Sequence, residues 1–372
     1  MPKSALSRRA FIRSSVALSA AGMAAGTAGT RFAFGAAPAF YVPLDTQPHK
    51  RTWMAWPDSK AIWGRQLPGI QANIALVAST IARYEPVIMC ANFGSVTAAQ
   101  AQCGSSVQVI GSIPVDDCWL RDSGPIFRVN GSGAKDAVGL NFNGWGNKQL
   151  HAKDALVASQ VAAYAAVPFS TAGFVAEGGA IEADGRGTLM ATQSSIVNSN
   201  RNPRMTQSAI EATMCAAFGA SKVIWFPGIV GKDITDDHVD ATSRFTAQGT
   251  GLVQWPPTAA TDIWSMDGRE QCQILAASTD ALGAPMNFSK LLGPNLNKIR
   301  QISPDFVASY SNYYVCNGAV ICAMFGDAEF DAGAKTTLAQ VFPGHVIEQL
   351  DIDHLGNGGG GIHCVTQQEP IP

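Results

Sequence analysis

The chain has 372 residues and an even charge balance, with 26 lysines and arginines against 28 aspartates and glutamates. Because this balance creates no large field of one sign, nucleic acid and anionic membrane surfaces are not expected partners. The eight cysteines lack the Cys/His spacing of a zinc site, so no metal centre is predicted.

The N-terminus predicts an export signal. Arg8 and Arg9 precede a weakly apolar run rich in alanine and glycine, which is the layout of a twin-arginine signal rather than of an ordinary basic N-terminus or a membrane anchor. We expect residues 1–36 to be this signal and residues 37–372 to form one domain in the periplasm or outside the cell. The twin-arginine export machinery is then a partner, and no stable membrane anchor remains after processing. Some cysteines are expected to pair in that oxidising compartment, in a connectivity that the sequence does not reveal.

Beyond the signal, short β-rich runs alternate with helical segments, which predicts an α/β fold. The β-rich runs include EPVIMCANF, GTLMATQSSIV, SKVIWFP and GAVICAMF, and the helical segments include GIQANIALVASTIARY, HAKDALVASQVAAYAA and QSAIEATMCAAF. Periodicity alone leaves an open sheet, a barrel and a repeated propeller as alternatives.

Four polar, glycine-rich junctions contain the side chains that could do chemistry. They are DDCWLRDSGP (116–125), EGGAIEADGRG (177–187), GKDITDDHVD (231–240) and GNGGGGIHC (356–364). Taken singly, they have ordinary interpretations as a solvated turn, a hairpin turn, a helix start and a buried thiol. Taken together, they supply a thiol, an imidazole, at least three carboxylates and an aromatic ring, which are the parts needed for covalent attack on a planar, cationic carbon.

A guanidinium group fits this set of side chains. Its rigid fork of N–H donors matches two carboxylates, and the ring of Trp119 can stack on the cation. Neighbouring carboxylates raise the pKa of a thiol, but a bound cation and a protonated His238 offset that effect. The sequence therefore predicts guanidine chemistry with Cys364 as the attacking group.

Six motifs resemble, in order and spacing, those of agmatine deiminases and the related bacterial-type peptidylarginine deiminases. They are HKRTWMAWP (49–57), DDCWLRDSGP (116–125), NFNGWGNK (141–148), EGG with GTLMATQSSIVNSNRNP (177–203), HVD (238–240) and GGGGIHCVTQQEP (358–370). The resemblance extends from about residue 45 to the C-terminus. It implies the pentein fold, a five-bladed α/β propeller of ββαβ-like modules around a central site, without a cofactor or metal.

The resemblance also implies a role for each catalytic candidate. Cys364 is the nucleophile, His238 the general acid and base, and Asp122 and Asp240 grip the guanidinium. Glu177 completes the site by holding either His238 or the edge of the guanidinium. The implied reaction passes through a thiouronium on the cysteine and yields a ureido product and ammonia.

The remaining candidates are predicted to contact the substrate. Trp119 forms a wall of the pocket, and the loop with Gly359, Gly360 and Gly361 brings bare backbone close to the substrate and can close over it. The substrate itself is a small-molecule or peptide guanidine, either agmatine or a peptidyl or free arginine.

Two features depart from the agmatine deiminase pattern. Ile234 stands where those enzymes usually carry a carboxylate for the far amine of agmatine, and export is unusual for an enzyme of polyamine metabolism. Both features weaken agmatine as the substrate without affecting the guanidine chemistry.

Two other functions remain as alternatives. A pentein amidinotransferase shares the thiouronium step but passes the amidino group to an amine. A non-catalytic periplasmic binding protein for arginine-like cations would use the same carboxylates and Trp119, but it would not need Cys364 in a glycine loop. A homodimer is left open.

Overall fold

The computed structural model describes residues 39–257, 261–300, 303 and 305–372. The predicted export signal at residues 1–36 lies outside the described residues. Within these residues, no helix has both the length and the apolar character needed to cross a membrane.

Strands and helices alternate along the described chain, as predicted. The strands are β1 (His49–Ala55), β2 (Val87–Cys90), β3 (Val107–Ile110), β4 (Ile126–Val129), β5 (Lys135–Gly139), β6 (Phe169–Thr171), β7 (Ile181–Ala183), β8 (Thr188–Thr192), β9 (Lys222–Phe226), β10 (Ser243–Ala247), β11 (Thr250–Trp255), β12 (Asn287–Leu292), β13 (Tyr314–Cys316), β14 (Ala319–Met324), β15 (Val346–Asp351) and β16 (Gln367–Pro370). The helices are α1 (Lys60–Trp63), α2 (Leu67–Ile81), α3 (Val96–Cys103), α4 (Leu120–Ser123), α5 (Gly144–Asn147), α6 (Asp154–Tyr164), α7 (Gln193–Ile196), α8 (Gln207–Phe218), α9 (Ile263–Ala277), α10 (Ala328–Val341) and α11 (Asp353–Asn357). The β-rich runs named above form β2, β8, β9 and β14, except that the second half of GTLMATQSSIV is the short helix α7, and the helical segments form α2, α6 and α8.

The strands form five small sheets with a shared pattern. Four sheets have three strands each, β4-β5-β6, β7-β8-β9, β10-β11-β12 and β13-β14-β15. In each of them the first pair is antiparallel and the second pair is parallel. A parallel pair needs a crossover, which α6, α8, α9 and α10 provide in turn. Each sheet with its helix is thus a ββαβ module.

The fifth sheet joins the two ends of the described chain. Its order is β16-β1-β2-β3, in which β16 pairs antiparallel with β1 and β1 pairs parallel with β2. The C-terminal strand therefore takes the place that the first strand has in the other modules.

Alternating side chains and helical periodicity build the core. Along β1, Trp53 packs into one hydrophobic cluster and Met54 into another, because successive side chains of a strand point to opposite faces. In α2, the buried residues Ile70, Ile74 and Ile81 belong to the same cluster as Met54, since their spacing places them on one face of the helix. Full burial of each of these aliphatic side chains contributes about 1.5–3 kcal/mol to stability.

Candidate active site

Each of the five modules contributes to the site from the same position, the short segment before its first strand. These segments contain Asp122 before β4, Glu177 to Gly179 before β7, His238 and Asp240 before β10, Asn312 before β13 and Cys364 before β16. The sequence shows no internal repeat, yet the repeated module places residues with different roles at equivalent positions. The contacts described next join the five segments.

Cys364 lies at the edge of a cavity of about 250 Å³ that Asp122 and Trp119 also line. Its Sγ accepts a hydrogen bond from Asn312 Nδ2 (3.3 Å) and lies 3.8 Å from Oδ2 of Asp240. Burial raises the pKa of the Cys364 thiol well above its ordinary value, and the charges of Asp240 and Asp122 raise it further. The free protein therefore holds this side chain as a thiol at neutral pH.

His238 is buried among carboxylates. Its Nε2 donates to Oε2 of Glu177 (3.1 Å), and its Nδ1 lies 3.7 Å from Oδ1 of Asp122. Burial lowers the pKa of His238, but Asp122, Glu177 and Asp240 outweigh this effect and raise the pKa to about 9. The side chain is thus an imidazolium at neutral pH and can donate a proton.

Glu177 contacts His238 and a buried arginine. Its second oxygen, Oε1, accepts a hydrogen bond from Nε of Arg201 (3.0 Å). Burial raises the pKa of Glu177, but the hydrogen bond from His238 and the charge of Arg201 outweigh it, so the pKa lies below its ordinary value. Both carboxylate oxygens are occupied. Of the two roles predicted for Glu177, this geometry fits the holding of His238.

Asp122 is held by two donors. Its Oδ2 accepts from Nε1 of Trp145 (2.9 Å), and its Oδ1 accepts from the backbone N of Gly179 (3.0 Å). Burial raises the pKa of Asp122 to about 6, although the charge of His238 opposes the shift. Trp145, which donates from α5, has a left-handed backbone with φ of 55°, uncommon for a residue with a Cβ.

Asp240 has one oxygen occupied and one free. Its Oδ2 accepts from Nδ1 of His363 (2.7 Å), whereas its buried Oδ1 has no hydrogen-bond partner. Burial raises the pKa of Asp240, but the hydrogen bond and charge of His363 and the charge of His238 outweigh it and lower the pKa. Asp240 is therefore ionised at neutral pH, with one oxygen available for another donor.

Gly179 allows these groups to converge. A Cβ at this position would lie 2.8 Å from Nδ1 of His238 and 2.9 Å from both Oδ1 of Asp122 and Oδ2 of Asp240. Such distances are far below ordinary van der Waals contact, so only glycine fits between the imidazole and the two carboxylates.

The glycine loop before Cys364 lies only partly at the cavity. Gly359 lines the cavity together with Trp119. Gly360 and Gly361 are buried instead, where a Cβ would overlap the Trp119 ring and the Asn312 side chain respectively. Bare backbone is required at these two positions by packing against the walls of the site.

The cavity is also lined by Ile234, Thr235, Gln149 and Asp117. Asp117 is its other carboxylate besides Asp122, and all its hydrogen bonds are already made. Oδ1 accepts from Nε1 of Trp63 and the backbone of Cys118, and Oδ2 accepts from Nε1 of Trp119 and Nε2 of Gln149. Burial raises the pKa of Asp117.

The disulfides expected in an oxidising compartment are not formed. All eight cysteines lie within the described residues and all are free. Six of them are buried, and burial raises the pKa of thiols such as Cys90 and Cys322. These side chains act as small apolar groups of the core rather than as crosslinks.

A cluster of ligand-type atoms lies behind the site. Atoms of Asp45, Glu182 and His363 lie within 4.8 Å of one another. Arg244 already donates from Nη2 to Asp45 (2.6 Å) and from Nε to Glu182 (2.7 Å). Since a fixed guanidinium supplies the positive charge there, we assign no metal to this cluster.

Four contributors were missed by sequence reasoning, namely Asn312, Arg201, Trp145 and His363. Trp145 and Arg201 lie inside motifs that were recognised, NFNGWGNK and the segment ending at Pro203, and His363 precedes Cys364. Asn312 lies outside all six motifs. Only its place before β13, the first strand of its module, could have indicated it.

Five ββαβ-like modules with a thiol, an imidazolium and two carboxylates at equivalent positions define the pentein class of guanidine-modifying enzymes. The model of the Porphyromonas-type peptidyl-arginine deiminase family matches residues 41–370. The chain belongs to this family.

Known relatives agree with this assignment. The chain is 33% identical over 359 residues to the agmatine deiminase of Stutzerimonas stutzeri, covering 90% of this chain and 96% of that one. It is 33% identical over 362 residues to the agmatine deiminase of Pseudomonas aeruginosa, covering 90% and 97%. Among solved structures, the agmatine deiminase of Enterococcus faecalis superimposes with a TM-score of 0.83 at 27% identity, covering 89% of this chain and 96% of that one.

These comparisons confirm the predicted family and the pentein fold. The chain is a hydrolase that acts on the C–N bonds of amidines. Neither amidino transfer nor non-catalytic binding, the two alternatives left by the sequence, has support among these relatives.

Proposed function

We propose that this chain is an exported guanidine deiminase that hydrolyses a guanidinium group to a ureido group and ammonia through a covalent intermediate on Cys364. The observation that carries the proposal is the convergence of Cys364, His238, Asp122 and Asp240 around Gly179. These groups supply a nucleophile, a proton donor and two carboxylates for a planar cation.

Substrate binding activates the thiol. A guanidinium cation held by Asp122 and Asp240 offsets the negative charge around Cys364, so the pKa of the thiol falls and its proton leaves to solvent. The free Oδ1 of Asp240 gains the donor that it lacks. The nucleophile thus forms only when the substrate is present.

The first half of the reaction releases ammonia. The thiolate adds to the guanidinium carbon, a C–S bond forms, and the adduct is neutral. Protonated His238 then donates to one nitrogen, its C–N bond breaks, and ammonia leaves. A cationic thiouronium remains on Cys364.

The second half uses water. Neutral His238 removes a proton from a water molecule, and the resulting hydroxide adds to the thiouronium carbon. The C–S bond breaks, and loss of the hydroxyl proton gives the ureido product. The Cys364 thiolate regains a proton as the product leaves.

The lining of the cavity is suited to a neutral substrate tail. Ile234 and Thr235 form part of it, and Asp117, which also lines the cavity, has no free oxygen for an ammonium group. A primary amine next to Ile234 would lose hydration without gaining a counter-charge, at a cost of about 1–3 kcal/mol.

The acidic residues around Ile234 do not supply that counter-charge. Asp233 is not among the residues that line the cavity, and its Oδ1 accepts hydrogen bonds from Thr235 and from the backbone of Asp237. Asp236 is paired with Arg201 and Lys148. Burial and the charges of Asp267 and Asp233 raise the pKa of Asp237 well above its ordinary value, which disfavours the charged form of this carboxyl.

We therefore propose that a guanidine with an uncharged tail, such as an arginine side chain within a peptide, is preferred over agmatine. The deiminase relatives named above support the reaction on the guanidine itself, because they act on agmatine as their names state. The lack of a counter-charge near Ile234 supports the preference for a substrate with an uncharged tail.

An ammonia-release screen tests both parts of the proposal. Purified mature protein is assayed with agmatine, free arginine and an arginine blocked at both ends, and the ureido product is measured alongside ammonia. We expect equal amounts of the two products and the highest kcat/KM for the blocked arginine.

Two variants of the tail residue sharpen this test. Ile234→Glu should raise kcat/KM for agmatine relative to the blocked arginine by about tenfold or more, the value of a charge-assisted hydrogen bond. The matched control Ile234→Gln, which is polar but uncharged, should change the ratio much less. If none of the guanidines releases ammonia, the proposed deiminase activity is refuted. If agmatine is by far the fastest substrate, only the proposed preference for an uncharged tail is refuted.

A further inference from the structure

His363 directly precedes the candidate nucleophile; it is hydrogen-bonded to one carboxylate and lies near a second, to which its Nε2 makes no hydrogen bond. Its side chain is 2% exposed. Nδ1 donates to Oδ2 of Asp240 at 2.7 Å, and Nε2 lies 3.6 Å from Oδ2 of Asp45. No step of the deimination described above uses this imidazole.

The backbone of His363 is held as firmly as its ring. Its N–H donates to Oδ1 of Asn312 (3.0 Å), and the residue begins the 3₁₀ turn His363–Val365 that leads to β16. On the far side of the ring, Asp45 accepts from Arg244 and from Nε2 of Gln368 (both 2.6 Å). The backbone hydrogen bond to Asn312, the hydrogen bond to Asp240 and the burial of the ring therefore hold His363 against Asp240.

In this arrangement the two carboxylate oxygens of Asp240 have different hydrogen-bonding states. Oδ2 is occupied by His363, whereas Oδ1 is buried and has no partner. An unpaired buried carboxylate oxygen is costly, so Oδ1 would be stabilised by a donor that the described residues do not supply. The hydrogen bond from His363 also opposes the effect of burial on the pKa of Asp240 and keeps this carboxyl ionised.

We propose that His363 is a positioning residue that fixes Asp240, so that Oδ1 stays free and negatively charged to receive an N–H of the guanidinium. The inference rests on the proposed function, because it assigns the missing donor of Oδ1 to the substrate. His363 does not touch the substrate; it acts through Asp240.

The test measures binding without turnover. In a Cys364→Ala background, the affinities for agmatine and for the blocked arginine are measured by calorimetry, with thermal unfolding as the folding control. His363→Leu removes the donor to Asp240 and should weaken both ligands by about tenfold or more, since a hydrogen bond to a charged group is lost. Because both ligands share the guanidinium, their affinity ratio should not change.

Two conservative variants show which ring nitrogen matters. His363→Asn can place an amide N–H near the position of Nδ1 and should restore binding to within about twofold, the usual error of such comparisons. His363→Gln places its amide near the position of Nε2 and should not restore binding. If His363→Leu does not fold, this Asn and Gln pair carries the test alone.

A double-mutant cycle with Asp240→Asn completes the experiment. If His363 acts through Asp240, His363→Leu should cause less than about a twofold further loss in that background. The inference is overturned by unchanged affinity in His363→Leu, by equal behaviour of the Asn and Gln variants, or by a full loss in the Asp240→Asn background. Failure of the Cys364→Ala protein to bind either guanidine would overturn the proposed function itself, and the inference with it.

Discussion

Cys364 is surrounded by negative rather than positive charge. Reactive cysteines usually lie near cations that lower the pKa of the thiol, but here burial, Asp240 and Asp122 raise it. Neutral thiol reagents should therefore react slowly with Cys364, whereas a reagent that carries its own cation should react fast.

We expect Cys364→Ala to release no ammonia from any guanidine and still to bind guanidines, because only the thiol forms the covalent bond. Wild-type protein should be inactivated by a haloacetamidine much faster than by iodoacetamide, with the label on Cys364 in a peptide map. Cys215, the other cysteine that is not fully buried, provides the control, and Cys215→Ala should leave inactivation unchanged. Label at other sites, or activity in Cys364→Ala, would contradict the mechanism.

The ionisation of three residues predicts how kcat/KM depends on pH. Because the Cys364 thiol of the free protein must lose a proton and Asp122 must be ionised, log kcat/KM should rise steeply with pH below about 6, the pKa of Asp122, and less steeply above it. His238 must be protonated to release ammonia, so the rise should stop as the pH passes about 9, the pKa of this group. Initial rates at low substrate concentration between pH 5 and about pH 10 would measure both breaks in the profile.

Trp145→Phe offers a way to assign the two breaks. This variant removes the hydrogen bond that favours ionised Asp122. The lower break should move to higher pH, while the upper break stays in place. A shift of the upper break instead would mean that the two pKa values are assigned to the wrong residues.

At the scale of the element, the segments before the first strands of the modules decide the geometry of the site. Gly179→Ala should reduce kcat about 100-fold or more, because the new methyl group would displace His238 or a carboxylate from the position needed for reaction. Gly94→Ala is a matched control, since a Cβ there meets no atom within 4 Å. Normal turnover in Gly179→Ala, with both variants equally stable, would show that the convergence is not required.

At the scale of the whole molecule, the pairing that closes the ring of five modules also completes the site. Cys364 lies just before β16, which pairs with β1 at the other end of the described chain. Glu369 in β16 is fully buried, and it accepts hydrogen bonds from Trp53 in β1 (3.0 Å) and from Lys135 in β5 (2.7 Å). The nucleophile therefore reaches its position only when the modules have closed on one another.

Export of a folded ring is consistent with its free cysteines, since no oxidation is needed to finish the fold. We propose the twin-arginine route, which carries folded proteins. Replacement of Arg8 and Arg9 by lysine should retain the protein inside the cell with its signal uncleaved, as measured by fractionation and N-terminal sequencing. Arg13→Lys is the control that should leave export intact, and unchanged export of the Arg8/Arg9 variant would mean that another route is used.

The chemistry of this protein could be predicted from the sequence because it depends on the kinds of side chain present. A thiol, an imidazole and carboxylates in recognisable motifs were sufficient to identify Cys364, His238 and Asp240 as candidates and to predict the family and fold. Local motifs also predicted the main strands and helices, since their periodicity and polar junctions are properties of neighbouring residues.

The contacts that tune these groups were decided only by the tertiary structure. Asn312 beside Cys364, Arg201 beside Glu177 and His363 beside Asp240 meet because separate modules bring distant parts of the chain together. Residues so far apart in the sequence leave no local pattern that predicts their contact, and each contact depends on the packing of all five modules. The sequence by itself therefore determined which reaction these groups support. The closed ring of modules decided their protonation states, their hydrogen-bond partners and which carboxylate oxygen stays unpaired, because burial and proximity exist only in the folded state.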